Sequence, residues 1–430
     1  MRKQTGEPIN WQIGQLTEQT AMVDGRLRIV IMWPGLGEYH LARLRSVVSQ
    51  CPEFDVVAME TVGGYERARQ PGFRSLRRDG LAVVTLFPDH NADQLAPDMI
   101  LRELKPTLNR LNPDAIAVCG YRYFESKIAI EWGRRNRRAV LLMCQSKKDD
   151  APRRLHREAA KERIVRLCDA VLAGGTPQRE YAAALGMPAD RIFTGYSAVG
   201  NDEFERAAQA ARAAGPQLRG KLGLGERPFF VASNRFIARK NLPGLVIAYS
   251  GYRAAVGNDE AWSLVLMGDG PDRPALQDHI AKLGVQGVIL PGYRRIGELS
   301  AFYGLASCFV HPALQDQWGL VVNEAMACGL PVLVSRTAGC RYDLVEEGAN
   351  GWTFDPASIP AMTEALLRIH RLPEEQRSAM GRRSREIVAR WSPDRFAEAL
   401  RKTVSAGMAH ARIRKRTVSL IDRLILRAWI

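Results

Sequence analysis

Among the seven cysteines, at positions 51, 119, 144, 168, 308, 328 and 340, no two form a C-x-x-C pair. Their odd number and scatter exclude a disulfide framework and a zinc ribbon, and predict a reducing compartment. Aromatic residues make up only 7%, and the basic residues do not interleave with them as a stacking surface for single strands would require, so nucleic acid is not an expected partner. Long apolar runs are also missing. The longest, such as 139–144 and 330–334, are far too short to cross a bilayer, which excludes a polytopic membrane protein. The first 16 residues have early basic residues but no apolar core, so a secretory signal is not expected. H-E-x-x-H, Walker A and G-x-S-x-G motifs are absent as well.

What is present is an ordinary folded composition, 46% hydrophobic and 25% charged over 430 residues, enough for two or three domains. The charge is lopsided, with 61 Lys and Arg against 46 Asp and Glu, and a formal net charge of +15 favours anionic partners. Short apolar runs alternate with helical spacing along the chain. Strands are predicted over 27–33, 54–59, 81–87, 114–119, 139–144 and 170–173. A second series follows over 229–233, 263–267, 288–291, 308–311 and 331–335. Helices are predicted over 39–50, 126–136, 152–167 and 319–328. Continuous apolar strands separated by helices read as parallel sheets covered on both faces, with the site at the carboxyl ends of the strands. A polar, Ala-rich stretch at 201–219, punctuated by Gly215-Pro216, is expected to separate two Rossmann-like domains, 1–210 and 220–390. Residues 391–430 are expected to form a helical tail that packs back on the first domain or lies at a membrane surface.

The stretch 311–329, HPALQDQWGLVVNEAMACG, carries the most chemistry. A strand ends near His311, a loop follows, and Gly319 opens a helix whose free amides and dipole suit a phosphate. Glu324, one turn in, can accept hydrogen bonds from ribose hydroxyls, and Asp316 from a sugar. This pattern resembles the signature of family 4 (group 1) retaining glycosyltransferases of the GT-B fold: an acidic residue, an aromatic and a Gly, a Glu eight positions on, then A-M-A-x-G-x-P-V. Here these are Asp316, Trp318, Gly319, Glu324 and AMACGLPV, with Asp316 one methylene shorter than the family's Glu. Arg235 and Lys240 match the Arg and Lys, five apart, that the family places after a strand to bind the donor diphosphate. Gly268 and Gly270 resemble its Gly-x-Gly loop, and Gly292-Tyr293 the loop beside the nucleobase. In the first half, Gly35-Leu36-Gly37 follows the first strand and can approach a phosphate or sugar.

The resemblance implies a GT-B enzyme, two Rossmann-like doubly wound domains facing a central cleft. It would move a hexose-like sugar from a nucleoside-diphosphate sugar to an acceptor hydroxyl with retention, in polysaccharide or glycolipid assembly. Catalytic roles fall to Arg235, Lys240 and Asp316. Donor binding falls to Gly35, Gly37, Gly268, Gly270, Gly292, Tyr293, Trp318, Gly319, Leu320 and Glu324. No D-x-D motif occurs, no metal or other cofactor is expected, and the two cations replace a metal at the departing diphosphate. The acceptor is a saccharide or a lipid-linked molecule, and the location cytoplasmic, with the inner membrane face as a place of peripheral attachment. Two basic regions remain, of which the second, a basic amphipathic segment, reads either as an element for an anionic membrane surface or as a closing helix on the first domain. Residues 134–166 hold twelve Lys or Arg against four Asp or Glu, and 412–430 combine six cations with Leu420, Ile421, Leu424, Ile425 and Trp429. The alternatives are a non-catalytic nucleotide-sugar-binding scaffold, or an epimerase or phosphorylase on the same fold.

Overall fold

The computed structural model describes residues 25–63, 80–414 and 417–428. The N-terminal segment read for a signal, and residues 415, 416, 429 and 430 of the basic tail, lie outside them. Two parallel sheets organise the chain. The first is built from β1 (Leu27–Trp33), β2 (Phe54–Val62), β3 (Ala82–Phe87), β4 (Ala115–Cys119), β5 (Ala139–Cys144), β6 (Ala170–Ala173) and β7 (Ile192–Thr194), in the order β3-β2-β1-β4-β5-β6-β7. The second holds β8 (Phe229–Ser233), β9 (Ser263–Met267), β10 (Val288–Gly292), β11 (Cys308–His311), β12 (Val332–Ser335) and β13 (Gly351–Phe354), in the order β10-β9-β8-β11-β12-β13. Both reverse direction in strand order beside their first strand, between β1 and β4 and between β8 and β11. Such switch points open a crevice at the carboxyl ends of the strands.

Helices cover both faces of each sheet, so the central strands are buried, while the edge strands β3, β10 and β13 are partly exposed. Ile29, Val30, Ile31, Ile116, Leu141 and Leu142 are fully enclosed in the first lobe, and Phe230, Val231, Leu264, Val265, Phe309 and Leu333 in the second. Continuous apolar strands with no polar face follow from that double cover.

The stretch expected to separate the domains is helical, Asn201–Lys221, in two segments that meet at Gly215. Its Phe204, Ala208 and Ala211 recur at helical spacing and are buried against helix Ile296–Leu305 of the second lobe. The approach is close: a methyl on Gly304 would sit 2.7 Å from the Ala208 carbonyl oxygen. Gly215-Pro216, read as punctuation, is where the helix breaks: Gly215 lies outside the helical region (φ 46°, ψ −127°), and a second helix continues from there to Lys221. The segment before that break packs on the second lobe.

The chain then returns. Helix Pro393–Ile413 starts on a Ser392 cap and buries Phe396, Ala399, Leu400 and Val404 against β5, β6, β7 and helix Glu38–Gln50 of the first lobe. A last helix, Leu420–Arg427, buries Leu426 against helices Phe124–Arg135 and Leu155–Leu167. The tail is thus a closing element of the first lobe, and one face of its last helix stays exposed at Leu420, Ile421 and Leu424.

Candidate active site

Strand β11 ends on His311, which is fully buried and lies with Nε2 3.0 Å from Asp316 Oδ2. Asp316 belongs to the loop before helix Leu320–Ala327. That loop is stitched to the segment after β12, through Gly339 N to the Asp316 carbonyl (3.2 Å) and Cys340 N to the Trp318 carbonyl (3.2 Å). Gly319 makes the turn in the left-handed region, φ 104°. A methyl there would lie 3.2 Å from His311 Nε2 and 3.6 Å from Asp316 Oδ2. Glycine is needed for both the angle and the space.

After β8 the chain runs through exposed Arg235 into a short turn, Ala238–Lys240. From its end the Lys240 ammonium donates to Asp316 Oδ2 at 2.5 Å. These two side chains are only 12% and 14% exposed, so the pair is screened far less than a surface bridge. Burial alone would raise the Asp316 pKa. The His311 hydrogen bond and the Lys240 charge outweigh it and hold the carboxyl well below the usual range. Burial depresses the His311 pKa in turn, so a neutral imidazole supports the carboxylate.

The loop bearing Arg235 and Lys240 rests on glycines. Gly268 takes φ 122°, and a methyl on it would fall 1.8 Å from the Asn234 carbonyl oxygen. One on Gly270 would fall 2.4 Å from that of Phe236. Gly268 N also donates to the Gly292 carbonyl at 3.0 Å. These glycines let three strand-end loops cross at backbone distance. Tyr293 stands 42% exposed beside them, and Leu320 is half-buried in the first turn of its helix.

Three expected donor contacts are placed otherwise. Glu324, read as a ribose ligand, is 1% exposed with both oxygens engaged. The Tyr303 hydroxyl donates to Oε2 at 3.0 Å, and Tyr39 of the first lobe donates to Oε1. Burial lifts its pKa to about 7 against the pull of both phenols. Trp318 is 1% exposed. Its indole donates to Asn323 Oδ1 at 2.8 Å, and its ring packs 4.8 Å from Trp391 and directly beneath Gly175, where a methyl would fall 2.3 Å away. Trp318 therefore plugs the seam between the lobes and presents no face to a donor. In the loop at Gly35 and Gly37, two amides are already bonded, Leu36 N to Glu60 Oε2 (3.0 Å) and Gly37 N to His40 Nδ1 (2.9 Å). Burial and the Arg43 charge push His40 down to about 3, leaving it neutral and able to accept.

Sequence reasoning passed over His311, Tyr39 and Tyr303. A histidine closing an apolar strand five residues before Asp316 was a usable signal for the first. The two tyrosines carry none, because only the assembled lobes bring them to Glu324. The seam holds further polar contacts: Thr176 N and Oγ1 to Asp343 (2.9 and 2.6 Å), Gln317 Nε2 to Asp150 Oδ2 (3.0 Å) and Asn323 Nδ2 to the Ser197 carbonyl (3.2 Å).

Residues 216–387, which hold this whole constellation of Lys240, His311, Asp316 and Glu324, match the family model of glycosyl transferases group 1. The second lobe is similar to group 1 glycosyl transferase domains. Among curated proteins, the chain is 31% identical over 229 residues to a GDP-mannose-dependent alpha-(1-6)-phosphatidylinositol monomannoside mannosyltransferase of Mycobacterium tuberculosis, covering 51% of this chain and 57% of that protein. It is 28% identical over 164 residues to the alpha-monoglucosyldiacylglycerol synthase of Acholeplasma laidlawii, covering 36% and 38%. The chain thus spans between about two fifths and little more than half of the length of these curated relatives. Among solved structures, sucrose-phosphate synthase from Thermosynechococcus elongatus superposes with a TM-score of 0.69 at 17% identity, over 89% of this chain and all of that one. Anabaena Alr3699/HepE in complex with UDP and glucose gives 0.67 at 17%, with the same coverage. At those identities the likeness shows the fold: the two lobes form a GT-B pair.

Proposed function

We propose that the chain transfers a hexose-like sugar from a nucleoside-diphosphate sugar to an acceptor hydroxyl, with retention, in polysaccharide or glycolipid assembly. The observation that carries this reading is the Lys240–Asp316–His311 cluster at the carboxyl ends of β8 and β11, inside the segment matching the family. Asp316 holds the Lys240 ammonium in place before substrate arrives, so little reorganisation is needed when charge develops on the departing diphosphate. Arg235, exposed on the same loop, adds a second cation with a guanidinium fork suited to phosphate oxygens. Together they take the part that a metal plays in other designs. The donor phosphate then assists removal of the acceptor proton on the same face of the sugar, with the acceptor held by the first lobe. The relatives named for mannosyl and glucosyl transfer to lipids support a lipid-linked or saccharide acceptor at the cytoplasmic face of a membrane. So do the exposed Leu420, Ile421 and Leu424 beside Arg423 and Arg427. No described helix is long and apolar enough to cross a membrane.

Mass-spectrometric screening of UDP-, GDP- and ADP-sugars for slow hydrolysis tests the reading without an acceptor. Release of nucleoside diphosphate and free sugar from at least one donor is expected. Binding of a donor with no turnover would instead make the chain a nucleotide-sugar-binding scaffold.

A further inference from the structure

At the end of the first lobe opposite the crevice lies a cavity of about 430 Å³. It opens where β4 and β5 begin, between the end of helix Phe124–Arg135 and the last turn of helix Pro393–Ile413. Five arginines line it, Arg134, Arg137, Arg138, Arg412 and Arg414, against a single carboxylate, Asp114. That carboxylate is already shared, accepting from the Arg28 amide at 2.9 Å and from Arg138 at 3.5 Å. The remaining wall is apolar, from Ala139, Met408 and Ala411.

The crowding of like charge is built in. Arg414 donates to the Arg138 carbonyl at 2.8 Å and pairs with buried Asp169, which also meets His410. Its pKa is pushed down to about 10 by burial and by the neighbouring Arg134. Arg137 is held in the left-handed region at φ 59°, an angle a side chain seldom adopts, which sets it beside Arg138 in the tight turn into β5. Arg138 Nε is buried with no hydrogen-bond partner. Five guanidiniums gathered beside the two carboxylates Asp114 and Asp169 leave an excess of positive charge, and an entering anion relieves that cost. Guanidinium forks match phosphate oxygens two at a time, and the volume lies within the range of small-molecule sites.

We infer that this cavity is a second anion site, one that takes a phosphate ester: the oxygens on the arginines, the organic part along Met408 and Ala411. β4 and β5 are five and six residues long, which separates the cavity from the crevice by about 17–20 Å at 3.3 Å per residue. The ligand bound there is therefore neither donor nor acceptor. It is either a soluble phosphate ester or the head group of an anionic lipid, and the inference stands independently of the proposed transfer reaction.

Arg137 and Arg412 are exposed, so reversing both charges leaves the packing intact. The test compares the full chain with Arg137→Glu/Arg412→Glu, under saturating nucleoside diphosphate to occupy the crevice. Glycerol 3-phosphate is titrated by calorimetry, and vesicles of phosphatidylglycerol in phosphatidylcholine are co-sedimented. Unchanged thermal midpoints verify the fold. Loss of two charge-assisted contacts should weaken glycerol 3-phosphate binding at least tenfold. A parallel tenfold loss on the vesicles assigns the site to a lipid head group; unchanged vesicle binding assigns it to a soluble ester. If both probes bind the two proteins equally, or neither probe binds the wild type, the inference is overturned.

Discussion

Glu324 ties protonation to the closure of the two lobes. In the unfolded chain its pKa is the ordinary 4.5, and in the fold it is lifted to about 7, with burial as the cause. The folded state therefore holds a proton that the unfolded state has released across that window, and stability falls as pH rises. Below 4.5 both states are protonated and the carboxyl adds no penalty. Above 7 the full cost is present. A shift of about 2.5 units at 1.36 kcal/mol each comes to about 3 kcal/mol. His40 and His311 have depressed values, so they act in the opposite sense: their contribution to stability is lost as pH falls below about 6.5. A difference measurement separates the effects. Glu324→Gln keeps the shape and can still accept from one phenol but does not titrate. Urea unfolding of wild type and variant between pH 4.5 and 8.5 should show the wild type losing about 3 kcal/mol relative to the variant as pH rises. Parallel profiles would refute the reasoning, because they would mean that the carboxyl is ionised throughout or reaches water.

Three further outcomes follow from particular contacts. Trp318→Ala removes a ring enclosed by Trp391, Asn323 and Gly175, and should cost about 3–5 kcal/mol in urea unfolding; a loss under 1 kcal/mol would show that the ring does not fill the seam. Gly319→Ala forces a methyl into the left-handed region and toward His311, so a folded variant with strongly reduced donor turnover is expected, and full activity would contradict the tight turn. Leu420→Ser/Ile421→Ser/Leu424→Ser alters only the exposed face of the last helix and should lower recovery with anionic vesicles while the thermal midpoint holds. Equal recovery would leave that helix as a closing element alone.

Much of this architecture was legible in the sequence, for a physical reason. Strands buried on both faces are continuous apolar runs, so β1, β5, β6, β8, β9 and β11 could be placed residue for residue. β7 and β13 escaped because three and four residues, with Gly351 in one of them, give no such run. The helices within Asn201–Lys221 escaped because a polar, Ala-rich stretch with Gly and Pro looks like a linker, and the face that packs on helix Ile296–Leu305 carries only Phe204, Ala208 and Ala211; the break at Gly215-Pro216 was legible. At the site, the loop residues could be named locally, and the structure brings Lys240, Asp316 and Gly319 together, a contact the motif did not give. The inward turn of Trp318 and Glu324 could not be read there. It is decided by Gly175, Trp391 and Tyr39, which are far away in sequence and reach the site only across the seam.

Substitution of Lys240 tests the central claim most directly, that the second lobe holds a preorganised cation for the departing diphosphate. With a donor that the wild type hydrolyses, Lys240→Ala should lower kcat by about 10²–10³-fold, the usual loss for one preorganised electrostatic group. The KM for the donor should change far less, because the contact strengthens as charge develops. An unchanged kcat in a folded Lys240→Ala variant, or a loss confined to KM, would contradict the account and move the chemistry away from the Lys240–Asp316 pair.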